Sequence, residues 1–217
     1  HMRIPQNQIE LLQAIVQVNS NVVGLLSAGA AIEMPWHYCC KAILHGYLSG
    51  QAGASAMLNI LTGKVNPSGR LAETYPIKYE DTPAFRNFPS NQRNAEYRES
   101  VYVGYRYYDT SKVRVQYPFG YGLSYTEFQI RVPEPENGSV EKDGKIQIPV
   151  QVTNTGNKAG KEVVQIYASL PQTEVKKEYR RLVGYAKTKL LQPGETETLR
   201  ITVGQKELAK FSEEKHQ

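Results

Sequence analysis

Four side chains that commonly bind metal ions lie between residues 37 and 45: His37, Cys39, Cys40 and His45. A helix over about Trp36–Tyr47 would place His37 and Cys40 on one face but would point His45 away from them. A zinc site needs converging ligands at a recognisable spacing, and this spacing fits none of the known patterns well. We therefore predict no metal site and no cofactor. We interpret the segment as a buried helix with small cysteines and hydrogen-bonded histidines.

A glycine-rich run, GYLSGQAG at residues 46–53, overlaps the start of the next predicted helix, Gln51–Leu61. Phosphate-binding loops need either a Lys-Ser/Thr pair after the glycines or the spacing GxGxxG, because backbone N–H groups and the lysine together hold the phosphates. The run has neither feature. Nucleotide binding is not predicted.

Composition and charge exclude two classes of partner. The net charge is +5, but the main basic cluster is broken by acidic residues (Lys176, Lys177, Arg180 and Arg181 with Glu174 and Glu178). Nucleic-acid binding proteins show a basic stripe or arm instead, so no nucleic acid is predicted. No apolar run reaches the roughly 18 residues that a membrane span needs, so no membrane is predicted either.

The two cysteines suggest a compartment. Cys39 and Cys40 are adjacent in the sequence, and adjacent cysteines rarely form a disulfide, which favours a reducing environment. The N-terminal segment is a polar amphipathic helix and does not resemble a secretory signal. The sequence therefore predicts a cytoplasmic location.

Residues 1–123 alternate between helix-like and strand-like segments. Pro5 begins a predicted helix that runs to about Val18 with a wide apolar stripe. The run Val22–Ser27 is continuously apolar, which is typical of a strand buried on both faces, and Leu71–Tyr75 is a second candidate strand. The order predicts an open, mostly parallel α/β sheet. Two strands do not complete such a domain, so we interpret residues 1–123 as its latter part. Residues 76–100, with three prolines, predict a long loop.

From residue 124 onward the apolar residues alternate with a period of two. Five strands are predicted, separated by turn sequences such as Asn154-Thr-Gly156 and Pro193-Gly194: Tyr125–Val132, Lys145–Thr153, Glu162–Ser169, Arg181–Leu190 and Glu197–Val203. The pattern is typical of an immunoglobulin-like or fibronectin type III-like β-sandwich, which has about seven strands. The fold class is therefore α/β followed by all-β, with residues 124–217 as a sandwich that lacks its last strands.

A tyrosine-rich stretch at residues 97–128 marks the change from one pattern to the other. It holds eight of the 15 tyrosines, and its Gly-Tyr-Gly run beside a proline predicts tight corners rather than helix. The runs VGYRYYD (103–109) and FGYGLSYTEF (119–128) resemble the C-terminal half of family 3 glycoside hydrolases of the β-glucosidase type. Two further runs, NPSGRLAETYP (66–76) and VTNTGNKAGKEVVQIY (152–167), resemble the same family and the fibronectin-like domain that follows in many members.

The resemblance implies where catalytic groups belong. Retaining glycosidases use a nucleophile and an acid/base, two carboxyl groups about 5 Å apart. In the resembled family the nucleophile is an Asp on a TIM barrel, which nothing in this sequence resembles. The acid/base is a Glu just before a segment similar to Met2–Gln8. By resemblance, then, we expect neither catalytic carboxylate among these residues, and we expect the chain alone to be inactive.

Among the carboxylates that the sequence does contain, Glu33 follows a predicted strand, where α/β sheets bind ligands, and Glu96 and Glu99 flank Tyr97. We interpret Glu33 as a group that caps a backbone segment or faces solvent, and the other two as loop charges. Tyr97, Arg98 and Glu99 are retained as candidate substrate contacts.

Three hypotheses about function remain open at this point. In the first, the chain is part of a retaining enzyme that hydrolyses terminal β-D-glucosides, joined to its missing TIM-barrel portion or to a homodimer mate. In the second, the sandwich and the tyrosines form a non-catalytic module that binds a carbohydrate or a protein. In the third, the natural enzyme has its barrel downstream of the sandwich.

Overall fold

A computed structural model describes residues 2–90, 93–133, 144–171 and 176–209. The chain divides into two compact units. The first comprises residues 1–65 and 71–121, and the second comprises residues 66–70 and 122–217. The sequence-based boundary between residues 123 and 124 stays a prediction. The contacts also assign the short segment 66–70, which comes before it in the sequence, to the second unit.

The first unit begins with helix α1, Gln6–Val18, where the sequence predicts it. Ile9 and Leu12 on one face of α1 pack against the buried cluster of Leu26, Met34, Trp36 and Tyr75. A second apolar row on α1 is exposed, at spacings of four and three residues: Leu11, Ile15 and Val18. The wide stripe seen in the sequence is therefore only half covered.

Two short parallel strands follow α1. Strand β1 (Val23–Leu26) pairs with β2 (Ala42–His45), so that Leu26 lies opposite His45. A helix over Trp36–Tyr47 was predicted, and this prediction is wrong: only a 3₁₀ turn at His37–Cys39 forms before β2. Short apolar runs fit helix and strand equally well, and here backbone pairing with β1 selects the strand.

The prediction that β1 is buried on both faces is also wrong for the described part of the chain. Leu26 is buried and Gly24 faces the Cys40 side chain. By contrast, the side chains of Val23 and Leu25 are 49% and 53% exposed. Since side chains alternate along a strand, one face of β1 is covered and the other carries uncovered apolar groups.

The rest of the first unit is made of short elements: helix α2 (Gly53–Leu61), strand β3 (Tyr75–Pro76), a 3₁₀ turn (Tyr79–Asp81), helix α3 (Tyr105–Ser111) and strand β4 (Val115–Tyr117). Strands β3 and β4 pair antiparallel, with Tyr75 opposite Tyr117. Helix α2 was predicted. Helix α3 was not, because its tyrosines were interpreted as part of a turn-rich stretch. Gly104, at φ +52°, allows the sharp entry into α3.

The second unit contains the five predicted strands and a short helix, with these bounds: β5 Phe128–Arg131, β6 Lys145–Asn154, β7 Val163–Ala168, β8 Arg181–Lys187, β9 Thr196–Gly204 and α4 Gln205–Leu208. Strands β5, β6 and β9 form one antiparallel sheet, and β7 and β8 form another. Both sheets contribute to one apolar cluster that includes Val152, Val164 and Ile201. This is the two-layer arrangement of a β-sandwich. The predicted turn at Asn137-Gly138 lies outside the described residues.

Throughout the described ranges, the helices are too short and too polar to cross a lipid bilayer.

Candidate functional site

The carboxyl ends of β1 and β2 bring a set of polar side chains together. His45, the last residue of β2, has its Nδ1 atom 3.1 Å from the carbonyl oxygen of Leu26 and its Nε2 atom 2.6 Å from the hydroxyl of Tyr75. Because a carbonyl only accepts, Nδ1 donates to Leu26, and Nε2 is left to accept the proton of the Tyr75 hydroxyl. This edge of a parallel sheet is where ligands bind in α/β proteins.

Tyr47 completes this cluster. Its ring lies 3.8 Å from the His45 ring, centroid to centroid, and its backbone has φ +48°. Its carbonyl accepts from Ser27 Oγ at 3.0 Å, and its hydroxyl accepts from the Ala72 N–H at 3.3 Å. Burial raises the pKa of Tyr75, so its hydroxyl stays protonated and acts as a donor. The polar atoms of His45, Tyr47 and Tyr75 are thus engaged in hydrogen bonds within the protein. This arrangement suits positioning of the loop after β2 rather than proton transfer to a ligand.

His37 and the two cysteines do not join this cluster. His37 Nδ1 lies 2.9 Å from the carbonyl of Met34, Cys39 is buried, and both cysteines are free thiols. Within the described ranges, no three His, Cys, Asp or Glu side chains are grouped so as to hold a metal ion.

The glycine-rich run has a packing role. A Cβ atom on Gly46 would lie 1.7 Å from Cε of Met57, which is in helix α2. Met57 therefore packs directly over Gly46, although the flexible end of its side chain could shift for a larger residue.

Glu33 lies in the segment after β1 and is 6% exposed. Its Oε2 accepts from Arg3 Nε at 2.9 Å and its Oε1 accepts from the Tyr79 backbone N–H at 2.7 Å. Burial alone would raise the pKa of Glu33, but the hydrogen bond from Tyr79 and the charge of Arg3 outweigh it, so the pKa lies below its usual value. An ionised carboxylate with both oxygens engaged is a poor general acid. The solvent-facing alternative is therefore wrong, while the hydrogen bond to the Tyr79 N–H fits a capping role. Glu33 also lines a cavity of about 340 Å³ together with Glu80.

The three predicted substrate contacts share one exposed turn. The Tyr97 side chain is 84% exposed. Arg98 Nε forms an ion pair with Glu96 Oε2 at 2.5 Å, and the Glu99 carbonyl accepts from the Tyr102 N–H at 2.9 Å. The turn leaves the tyrosine ring accessible, and contact with a substrate stays a prediction.

Comparison with protein families gives a direct match. Residues 1–125 match the glycosyl hydrolase family 3 C-terminal domain, and residues 162–217 match the fibronectin type III-like domain. The chain belongs to glycosyl hydrolase family 3. The resemblance inferred from the four sequence motifs is confirmed.

Two family 3 relatives show how much of a longer protein this chain represents. Thermostable beta-glucosidase B of Acetivibrio thermocellus is 41% identical over 98% of this chain and 28% of its own length. Beta-glucosidase BoGH3A of Bacteroides ovatus is 37% identical over 97% of this chain and 28% of its own length. The chain therefore spans little more than a quarter of these relatives.

Solved family 3 structures agree with the fold. A β-glucosidase from Kluyveromyces marxianus, determined in complex with glucose, has a TM-score of 0.91 at 37% identity, covering 99% of this chain and 26% of that one. A β-glucosidase from Bifidobacterium adolescentis has a TM-score of 0.92 at 37% identity, covering 99% and 32%. The expected fold class, α/β followed by a fibronectin-like sandwich, is confirmed.

One residue pair, which joins Arg70 of the motif at 66–76 to Glu162, is not predicted from the sequence. Arg70 NH2 lies 2.5 Å from both carboxylate oxygens of Glu162, and its NH1 donates to the carbonyl of Gly122. All three residues belong to the second unit. A motif shows which residues are present but not that two charges 92 positions apart will pair, so nothing in a single sequence indicates this contact.

Proposed function

We propose that this chain is the C-terminal part of a retaining β-glucosidase that hydrolyses terminal β-D-glucosides, and that it supplies scaffold rather than catalytic carboxylates. The observation that carries the proposal is the match of 98% of the chain, at 41% identity, to little more than a quarter of a protein named as a β-glucosidase.

We assign the nucleophile and the acid/base to residues other than these 217. Glycoside hydrolysis with retention needs two carboxyl groups about 5 Å apart, one ionised and one able to give up a proton. Glu33 is ionised and engaged by Arg3 and Tyr79, and Glu96 is paired with Arg98. These existing contacts support the proposal, because an engaged carboxylate is less available to act on a substrate. In keeping with the family resemblance, we propose that the catalytic Asp lies on a TIM barrel and that the catalytic Glu lies upstream of Met2.

Uncovered apolar groups of the first unit support a larger assembly. Val23 and Leu25 of β1 and the second apolar row of α1 are exposed, whereas soluble monomers rarely leave large apolar patches uncovered. We propose that the missing TIM-barrel portion, or a homodimer mate, covers them. A cytoplasmic location, favoured by the free thiols, is part of the same proposal, and cell fractionation tests it.

The test compares three purified proteins on aryl β-D-glucoside and β-D-xyloside: this chain, the upstream portion of the matched Acetivibrio protein, and a fusion of that portion to this chain. We expect neither part to turn over substrate and the fusion to release glucose first as the β-anomer, which proton NMR resolves. Turnover by this chain alone would contradict the proposal and would direct attention to Glu33 and Glu99. A folded but inactive fusion would contradict it as well.

A further inference from the structure

The second unit carries a concave surface separate from the candidate residues described above. It is formed by residues 124–127, just before β5, and residues 155–157, just after β6, and encloses about 530 Å³. Small-molecule sites in proteins usually enclose about 300–1,000 Å³. All of its lining residues belong to the second unit.

A buried amide holds this surface in shape. Asn154, fully buried at the end of β6, accepts at Oδ1 from Thr126 Oγ1 at 2.8 Å and from the Gly156 N–H at 3.1 Å. Its Nδ2 donates to the carbonyls of Lys158 and Leu191 at 2.8 and 2.9 Å. With both ends of the amide satisfied internally, the two walls are fixed before any ligand arrives, which lowers the entropic cost of binding.

The two walls of the cavity are residues 124–127 and residues 155–157. At Gly156 the second wall lies too close to the first to leave room for a side chain. A Cβ atom on Gly156 would lie 2.2 Å from Thr126 Oγ1 and 2.7 Å from the backbone nitrogen of Glu127. The N–H groups of Thr155 and Gly156 donate to the Glu127 carbonyl at 2.9 and 3.3 Å. The turn is therefore pinned to residues 126–127, and the polar side chains on either side of it project from rigid backbone.

The chemistry of the lining restricts the ligand. The side chains of Tyr125, Glu127, Thr155 and Asn157 are exposed around the cavity, and the Tyr125 ring is 44% exposed. They offer one aromatic face, one carboxylate, a hydroxyl and an amide. Among the residues that the structure describes, no cationic side chain lines the cavity, so an anion would meet only the negative charge of Glu127. A wholly apolar ligand would desolvate these polar groups without replacing their hydrogen bonds.

We propose that this surface binds a neutral saccharide. A pyranose presents a face of C–H groups that packs on an aromatic ring, and hydroxyls at its rim that both donate and accept hydrogen bonds. Tyr125 would contact the C–H face, while Glu127, Thr155 and Asn157 would bind hydroxyls. The site is built from residues of the second unit alone, and its test needs no β-glucosidase activity.

Calorimetric titration of the 217-residue chain with cellotetraose, xylotetraose and laminaritetraose tests the proposal, with inorganic phosphate as the anionic control. We expect at least one tetrasaccharide to bind with a Kd of about 1 mM or tighter and phosphate not to bind. Tyr125→Ala should weaken binding at least about tenfold. Asn157→Ala, at an exposed position that the fold tolerates, should weaken it several-fold in the same direction.

Tyr185→Ala is the matched control, because Tyr185 is 72% exposed in the same unit but lies on β8, away from the cavity-lining residues. It should bind like the unaltered chain. Each variant is first checked for an unchanged thermal unfolding midpoint. Failure of all three tetrasaccharides to bind would overturn the proposal. So would full retention of binding in both the Tyr125 and Asn157 variants, or phosphate binding that competes with the saccharide.

Discussion

The guanidinium of Arg70 binds the carboxylate of Glu162 through both carboxylate oxygens, although the two residues are 92 positions apart in the chain. Their side chains are 17% and 10% exposed. The carboxylate also accepts from the Val163 N–H at 2.6 Å. This pair ties the segment 66–70 to the start of β7, and it acts together with the hydrogen bonds of Asn66 to Ala159, Ser124 and Tyr125 in the same unit.

Arg70→Ala should therefore destabilise the chain strongly. It leaves a buried carboxylate without its counter-ion, and breaking a buried ion pair in this way typically costs about 3–5 kcal/mol. Urea unfolding at pH 7 measures the effect. Arg70→Lys should recover only part of the loss, because an ammonium group does not match both oxygens of a carboxylate.

Lys189→Ala is the control for this prediction. Lys189 pairs with Glu195 at 2.6 Å, and the two side chains are 59% and 33% exposed, much more than those of Arg70 and Glu162. Exposed pairs contribute little to stability, so the free energy of unfolding should hardly change. Equal effects of the Arg70 and Lys189 substitutions would show that burial of the first pair has no energetic consequence.

Two glycines near Arg70 form a matched pair for a second prediction. A Cβ atom on Gly122 would lie 2.5 Å from the Gly69 carbonyl oxygen, whereas a Cβ atom on Gly69 would meet nothing within 4 Å. Backbone cannot move aside as a flexible side chain does, so Gly122→Ala should cost about 1–3 kcal/mol. Gly69→Ala should stay within about 0.5 kcal/mol of the original chain. Thermal unfolding of both variants measures the difference, and equal midpoints would contradict the close approach.

Glu33 gives a prediction about pH. Its pKa in the folded chain lies below its usual value, while an unfolded Glu has a pKa of about 4.3. Its stabilising contribution is therefore present above about pH 4.3 and is lost as the pH falls through the lower, folded value. The difference in free energy of unfolding between the original chain and Glu33→Gln should be largest near pH 7 and should shrink below pH 4.

Urea unfolding at pH 7, 5, 4 and 3 measures this dependence. Arg3→Met removes the charge partner of Glu33 but keeps the hydrogen bond from Tyr79. This variant should therefore lose only part of the pH dependence of the free energy of unfolding. A difference between the original chain and Glu33→Gln that stays constant over this range would mean that Glu33 contributes no more to stability when it is ionised than when it is protonated.

Tyr97 gives a prediction about substrate binding in the active fusion. If its exposed ring contacts the substrate, Tyr97→Ala should raise KM for an aryl β-glucoside several-fold and leave the unfolding midpoint unchanged, since an 84% exposed side chain contributes little to packing. Tyr38→Ala, at another exposed tyrosine of the first unit, is the control and should leave KM unchanged. An unchanged KM in the Tyr97 variant would remove this residue from the substrate contacts.

The sequence predicts the elements that carry their own local signals. Helix α1 has a start signal at Pro5 and a clear apolar period, and the five sandwich strands alternate between turn sequences. Strand β2 was missed because a run of only four residues, Ala42–His45, holds no clear period of its own and becomes a strand only through pairing with β1. Helix α3 was missed because its tyrosines, between glycines, resemble a loop.

The candidate sites depend on contacts that no local pattern contains. The hydrogen bond between His45 and Tyr75 joins residues 30 positions apart, and the cavity in the second unit joins the stretch before β5 to the turn after β6. Each site forms only after β-strands have paired. A single sequence shows the polar residues that are available but not which of them meet.

The pairing of Arg70 with Glu162 also has a consequence for synthesis on the ribosome. Translation proceeds at about 5–20 residues per second, so the 92 residues between the two partners take roughly 5 to 18 s to make. Asn66–Arg70 therefore leaves the ribosome seconds before Glu162 does, while much of the sandwich to which it belongs has not yet been made. The nascent chain therefore carries an unpaired arginine and an incomplete β-sandwich for seconds, a window in which chaperones would have their main opportunity to act.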